Sequence, residues 1–180
     1  TFDGNGHTSG STQEVIMTYD QAKALSTNGY SRSGYAFSGW ALTADGPKVY
    51  DEKEEVINLT EGSSIRLYAV WTPIKYTVEL VNGDSVTTFE TEYGKSFALN
   101  ELSKIGYTFN GWKLGNTIYK DSASNLTTIE GATVTLIADY AYDEVKLNQT
   151  TVSYQYKQKE ATSALIQGVY KDTEETSAGF

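Results

Sequence analysis

Gly34-Tyr35-Ala36-Phe37-Ser38-Gly39-Trp40 returns as Gly106-Tyr107-Thr108-Phe109-Asn110-Gly111-Trp112, a displacement of 72 (106 minus 34) with five of seven positions identical. Self-similarity of this kind marks a repeat architecture, in which each copy is one small structural unit. The flanking landmarks keep their order. Tyr19 and Leu25 precede the first motif as Tyr93 and Leu99 precede the second, 74 apart (93 minus 19), and Glu61-Gly62 follows as Glu130-Gly131 does, 69 apart (130 minus 61). Drifting offsets are what short loop insertions between matched elements produce.

Both copies close on an alternating strand, Ile65, Leu67, Ala69, Trp71 in one and Val134, Leu136, Ala138, Tyr140 in the other. A period of two places such residues on one buried face. The second copy opens the same way, with Tyr76, Val78 and Leu80 against Lys75, Thr77 and Glu79, whereas the first has only Thr1-Phe2-Asp3. The turns Asp3-Gly4-Asn5-Gly6 and Asn82-Gly83-Asp84 then lead to Val15, Met17, Tyr19 and to Phe89, Thr91, Tyr93. An Asn-Gly step between alternating runs favours a hairpin. Asp20-Gln21-Ala22-Lys23-Ala24-Leu25 predicts a short helix with Asp20 as N-cap, and Asn100 is a weaker cap before Glu101-Leu102. The expected fold class is α+β, mostly β, with a helix covering one face of a small sheet in each copy.

The copies span 1–73, with its first strand truncated, and 74–142. From Asp143 the pattern stops. Val152, Tyr154 and Tyr156 alternate, Lys157-Gln158-Lys159-Glu160 suits a polar turn, and Ala164 to Tyr170 makes a second strand. Residues 143–180 therefore predict a β-hairpin, either opening a different β module or docked on copy two, because so short a segment cannot hold an independent core. A unit of about 70 residues buries only about 60% of its unfolded surface, so neighbouring copies should support one another. The join Trp71-Thr72-Pro73-Ile74 leaves almost no linker, which predicts a semi-rigid rod.

The chain has 180 residues, 14 Tyr and no Cys. Disulfides, thiolate nucleophiles and Cys-based zinc sites are thereby excluded. With 14 basic residues against 23 acidic ones and a net charge of −9, a phosphate backbone is a poor partner, so nucleic acid is not expected. No apolar run reaches the roughly 18 residues that span a bilayer, so no membrane insertion of this segment is expected. The chain opens on Thr1 rather than Met, in mid-strand, which predicts a fragment of a longer or processed protein.

The one histidine, His7, lies in a Gly- and Ser-rich turn and cannot alone build a triad or a two-histidine metal motif. Carboxylates cluster in Asp51-Glu52-Lys53-Glu54-Glu55, a run that suits a wet loop better than a paired acid and base. Asp3-Gly4-Asn5-Gly6 lacks the spacing and closing Glu of a calcium loop. No catalytic, cofactor or metal residue is therefore assigned, and the chain is expected not to be an enzyme. Trp40 and Trp112 remain. By alternation they fall on the face opposite Tyr35 and Phe37, where they either pack as core or offer a stacking platform to a sugar.

Three landmarks in order, Thr1-Phe2-Asp3-Gly4-Asn5-Gly6, then Gly34 to Trp40, then Leu67-Tyr68-Ala69-Val70-Trp71, resemble the Listeria-Bacteroides repeat, the B-repeat of internalins. The resemblance extends over residues 1–142 and is weaker in copy two, where Val81-Asn82-Gly83-Asp84 replaces the opening turn and Leu136-Ile137-Ala138-Asp139-Tyr140 the closing strand. It implies two tandem β-grasp-like, ubiquitin-related modules in an extracellular protein, at the bacterial cell surface or secreted. It implies adhesion or projection as their role and no catalytic residues. A monomeric spacer and adhesion module that binds a host or matrix protein is the expected function, partly through strand addition at exposed sheet edges. The alternative is a carbohydrate-binding module, attached to a larger secreted or cell-surface enzyme, that takes glycan at Trp40 and Trp112.

Overall fold

The computed structural model describes residues 1–143 and, as backbone, the strands 151–156 and 159–164. Copy one contains β1 (Phe2–Asp3), β2 (Ser9–Gly10), β3 (Lys23–Ala24), β4 (Tyr30–Ser31), β5 (Tyr35–Ala41), β6 (Glu55–Val56) and β7 (Leu67–Pro73). Copy two contains β8 (Lys75–Asn82), β9 (Ser85–Glu92), β10 (Phe97–Ala98), β11 (Tyr107–Leu114), β12 (Thr117–Tyr119), β13 (Ser122–Ala123) and β14 (Thr133–Tyr142). β15 (Thr151–Tyr156) and β16 (Lys159–Ala164) come after them. The protein is mostly β, and among the described residues there is no helix. By contact density the chain divides into two compact units, Thr1–Ala98 with Ser122–Leu136, and Leu99–Asp121 with the chain from Ile137, so that β14 belongs partly to each.

In the first unit, β7 lies between β1 and β5. β1 runs parallel to it (Phe2 opposite Leu67) and β5 antiparallel (Trp40 opposite Ala69). Leu25, Trp40, Val56, Leu67 and Ala69 form the buried core of copy one, with Phe2, Phe37 and Trp71 packed on it. β8 and β9 form the expected hairpin, closed by Asn82 opposite Ser85 around Gly83, whose φ of 58° suits a primed turn. On its other edge β8 meets β14 and the two residues before it: Gly131 N–H donates to Lys75 O at 2.8 Å and Thr77 N–H to Ala132 O at 2.9 Å. These contacts advance in the same direction along both segments, as parallel pairing requires. Tyr76 and Val78 are thereby buried, as the period-two pattern requires.

In the second unit, β11 pairs antiparallel with β14 on one side and with β12 on the other. Trp112 and Leu99 are buried here as Trp40 and Leu25 are in copy one. The equivalence extends to single bonds: Leu25 N–H donates to Glu54 O and Leu99 N–H to Asp121 O, both at 2.9 Å.

Three expectations are corrected by the backbone. The helix over Asp20–Leu25 is absent, and with it the helical half of the α+β class. Asp20 takes φ 58°, matching Gly94 at 85° in copy two, and neither can open a helix from that conformation. Each is instead braced by an asparagine, Asp20 N–H donating to Asn58 Oδ1 (2.9 Å) and Gly94 N–H to Asn125 Oδ1 (2.5 Å). The chain then enters a two-residue bridge, β3 with β6 or β10 with β13, and Asn100 likewise caps no helix.

Secondly, Val15, Met17 and Tyr19 form no strand, and the Asp3–Gly6 turn closes no hairpin with them, since β2 pairs with β4. Thirdly, the second strand of the last hairpin starts earlier than the polar turn suggests. Tyr156 pairs with Lys159 and Gln155 with Glu160, so Lys159 and Glu160 belong to β16 rather than to the turn. Residues 165–170 of the expected strand lie outside the described residues.

Candidate functional site

The Gly-Tyr-x-Phe-x-Gly-Trp motif is a strand carrying a bulge. The register of β5 against β7 slips between Phe37 and Gly39, and that of β11 against β14 between Phe109 and Gly111. A bulge inserts one unpaired residue and re-aims the side chains beyond it. Gly39 (φ 143°) and Gly111 (φ 135°) lie where a Cβ would meet Tyr50 O or Tyr119 O at 2.6 Å, so the adjoining backbone tolerates only glycine.

The slip overturns the simple alternation. Trp40 returns to the side of Phe37, their rings 4.9 Å apart and near perpendicular, and is fully buried; Trp112 stands 5.9 Å from Phe109 and is 4% exposed. Trp112 Nε1–H donates to Asn100 O at 3.0 Å, while the buried Trp40 Nε1 has no acceptor among the described residues. Neither indole presents a face to solvent, so the sugar platform assigned to Trp40 and Trp112 is not formed at either position.

The turn Asp3–Gly6 is committed to structure. Asp3 Oδ1 accepts from Asn5 N–H at 2.9 Å, Asn5 Nδ2 donates to Ala44 O (2.7 Å) and Ala69 O (2.9 Å), and Trp71 Nε1–H donates to Gly4 O (2.9 Å). His7 packs its ring against Tyr30, centroids 4.6 Å apart. Among the described residues no three His, Cys, Asp or Glu side chains group as metal ligands would. The acidic run is committed to structure: Asp51 N–H donates to Glu54 Oε2 at 2.6 Å, Glu52 Oε1 accepts from Asn28 N–H at 2.8 Å, and Lys48 pairs with Asp51 at 2.7 Å on the surface.

The feature that sequence reasoning undervalued is the joint between copies. Ile74 alone separates β7 from β8 and is 3% exposed. Its N–H donates to Gly34 O at 3.1 Å and its carbonyl accepts from Tyr93 N–H at 2.9 Å. The Tyr93 ring lies directly on Gly34, where any Cβ would overlap it, and meets the Tyr35 ring edge-on at 5.6 Å. Arg32 covers the Tyr35 ring at 4.1 Å. The Gly34-Tyr35 step thus receives the start of copy two. Copy two repeats it, with Lys104 at 3.9 Å over Tyr107 and Asp143 N–H donating to Gly106 O at 2.9 Å.

Comparison with known proteins meets this geometry. The family model of the Listeria-Bacteroides repeat domain matches residues 1–70 and again 76–139. This chain belongs to the Listeria-Bacteroides repeat family. The repeats are similar over 110 residues, at 32% identity, to a predicted Gly-rich membrane protein of Evansella cellulosilytica. The match takes in 54% of this chain and 12% of that protein, so the chain spans a small part of its relative's length. The unmatched residues 71–75 of the family match are the joint itself.

Proposed function

We propose that this chain is a non-catalytic spacer and adhesion module of an extracellular bacterial protein, held at the cell surface or secreted. The observation that carries the reading is the joint, in which one buried residue and a ring seated on glycine replace a linker. Flexible spacers need long polar linkers, whereas this geometry ties the first hairpin of copy two directly onto copy one. Family membership and a relative described as a membrane protein support a surface location. The modules are 1–73 and 74–142, with 143–180 either opening a different β module or docking as a hairpin on copy two. Each is a helix-free variant of the β-grasp layer, a reading supported by the parallel pairing of β1 with β7 beside antiparallel β5. The partner is a host or matrix protein, engaged by a monomer.

Two measurements test this reading. Nitrogen-15 relaxation on the 180-residue chain should return one correlation time for copy one and the β8–β9 hairpin; two independent times would end the spacer reading. Solid-phase binding to matrix proteins, run beside a glycan array with calcium, should give a signal with protein ligands alone. Hydrolytic activity that depends on carboxylates within residues 1–142 would overturn the module reading altogether.

A further inference from the structure

β9 is an edge strand. β8 lies on one side of it, and among the described residues no strand lies on the other. Their register runs without a slip from Lys75 opposite Glu92 to Asn82 opposite Ser85. Asn82 and Ser85 flank the two-residue turn, and Tyr93 N–H donates to Ile74 O in the same register. In an antiparallel ladder such hydrogen-bonded pairs alternate with pairs whose backbone groups face outward. Ser85, Thr87, Phe89 and Thr91 therefore bond β8, while Val86, Thr88 and Glu90 turn their N–H and C=O groups to the open edge. Glu92 turns the same way, its carbonyl accepting from Lys95 N–H at 3.2 Å.

Long edge strands invite pairing with another chain, and folded proteins blunt them with bulges, proline or a covering segment. β5 and β11 show two of these devices. Each carries the bulge, and the far edge is taken by Tyr50 in copy one, where Trp40 N–H donates to Tyr50 O at 2.8 Å, and by β12 in copy two. β9 has eight residues, no proline and no bulge.

What β9 carries is charge. Glu90 is exposed and Glu92 half-buried on the outer face, with Asp84 at the turn. Among the described residues none of the three forms an ion pair, although Lys75 and Lys95 line a shallow recess of about 200 Å³ beside the two glutamates. A second copy is a poor occupant. Antiparallel self-pairing centred on Thr88 sets Asp84 against Glu92, centring on Glu90 sets two Glu90 side chains face to face, and each chain carries a net charge of −9. The core face adds an apolar requirement, because Phe89 is half-buried there between Thr87 and Thr91, its ring 5.1 Å from that of Phe97. A β-branched neighbour would extend that pair across the edge.

We propose that the open edge of β9 receives an extended segment of a partner protein in which Lys or Arg alternates with β-branched residues. Backbone pairing with Val86, Thr88 and Glu90 supplies affinity; cations beside Glu90 and Glu92, and apolar residues beside Phe89, supply specificity. The inference rests on the adhesion reading and narrows its partner to a basic strand.

The test titrates the nitrogen-15-labelled chain, at low salt, with two blocked peptides, one of four Lys-Val pairs and one of four Glu-Val pairs. With the lysine peptide, amide exchange at Val86, Thr88 and Glu90 should slow by about tenfold at saturation. Thr87, Phe89 and Thr91, already bonded to β8, should not change, an alternation that charge attraction alone does not produce. The glutamate peptide should have no effect. Thr88→Pro removes an outward N–H and no bond to β8, so it should abolish the response. Glu90→Gln combined with Glu92→Gln leaves the edge intact and should weaken binding by about fivefold. No slowing at millimolar lysine peptide, slowing without the alternation, or equal response to both peptides would overturn the site. Protection of the same amides on raising protein concentration alone would overturn it in favour of self-pairing. Matrix proteins that bind the Thr88→Pro chain as tightly as the native one would leave the adhesion reading standing and overturn β9 as its site.

Discussion

Gly34→Ala tests the joint, with Gly106→Ala as its internal control. The two glycines share one conformation, φ 77° and 76°. Forcing an alanine into that left-handed region costs about 1–2 kcal/mol at either site. Their surroundings differ. A Cβ at Gly34 overlaps the Tyr93 ring, whereas one at Gly106 meets nothing within 4 Å among the described residues. Overpacking adds about 1–3 kcal/mol, part of it through the lost contact of Tyr93 with Tyr35, a pair of the kind worth about 0.5–1.5 kcal/mol. Gly34→Ala should therefore cost about 2–5 kcal/mol in total, and Gly106→Ala about 1–2 kcal/mol. Guanidinium unfolding followed by tryptophan fluorescence measures both. A Tyr93→Ser background separates the terms, because removing the ring should bring the cost of Gly34→Ala down to that of Gly106→Ala. Equal costs in the native background, or no coupling between Gly34 and Tyr93, would refute the seated-ring account of the joint.

The buried tryptophans predict a contrast. Trp112→Phe leaves Asn100 O without its donor, whereas Trp40→Phe removes an indole N–H that has no acceptor among the described residues, so the Trp112 change should cost about 1 kcal/mol more in chemical denaturation. Asn5→Ala removes donors to Ala44 O and Ala69 O and should destabilise copy one by about 1–3 kcal/mol, read by calorimetry. Because Asp3 Oδ1 is already bonded within its own turn, millimolar calcium should leave the melting temperature unchanged; a rise of several degrees would restore the calcium-loop reading.

Much of the strand layout was legible because its signal is local. The alternation of Ile65, Leu67, Ala69 and Trp71 and of Tyr76, Val78 and Leu80 reports faces directly, and the repeated motif aligned the copies. The errors arose where a long-range partner decides the outcome. Asp20 looks like a helix cap until Asn58, 38 residues away, braces it in the left-handed region. Val15, Met17 and Tyr19 alternate like a strand, but among the described residues no strand pairs with them. Trp40 falls out of step with the alternation because the bulge at Ser38 consumes one residue, and the only local trace of that bulge is the glycine beside it. The candidate site came from that miscount: counting by twos exposes the indole, and the bulge buries it. The joint left a clearer trace, since a glycine before an aromatic in both copies implies a close approach from outside the motif.

The parallel pairing of β1 with β7 has a mechanical consequence. The strands that begin and end copy one lie side by side and point the same way, so the chain enters at one end of the ladder and leaves at the other. Tension along the chain would load those hydrogen bonds together in shear, rather than peel them one at a time. A repeat wired in this manner yields late and abruptly, which suits a chain held at one end and pulled at the other.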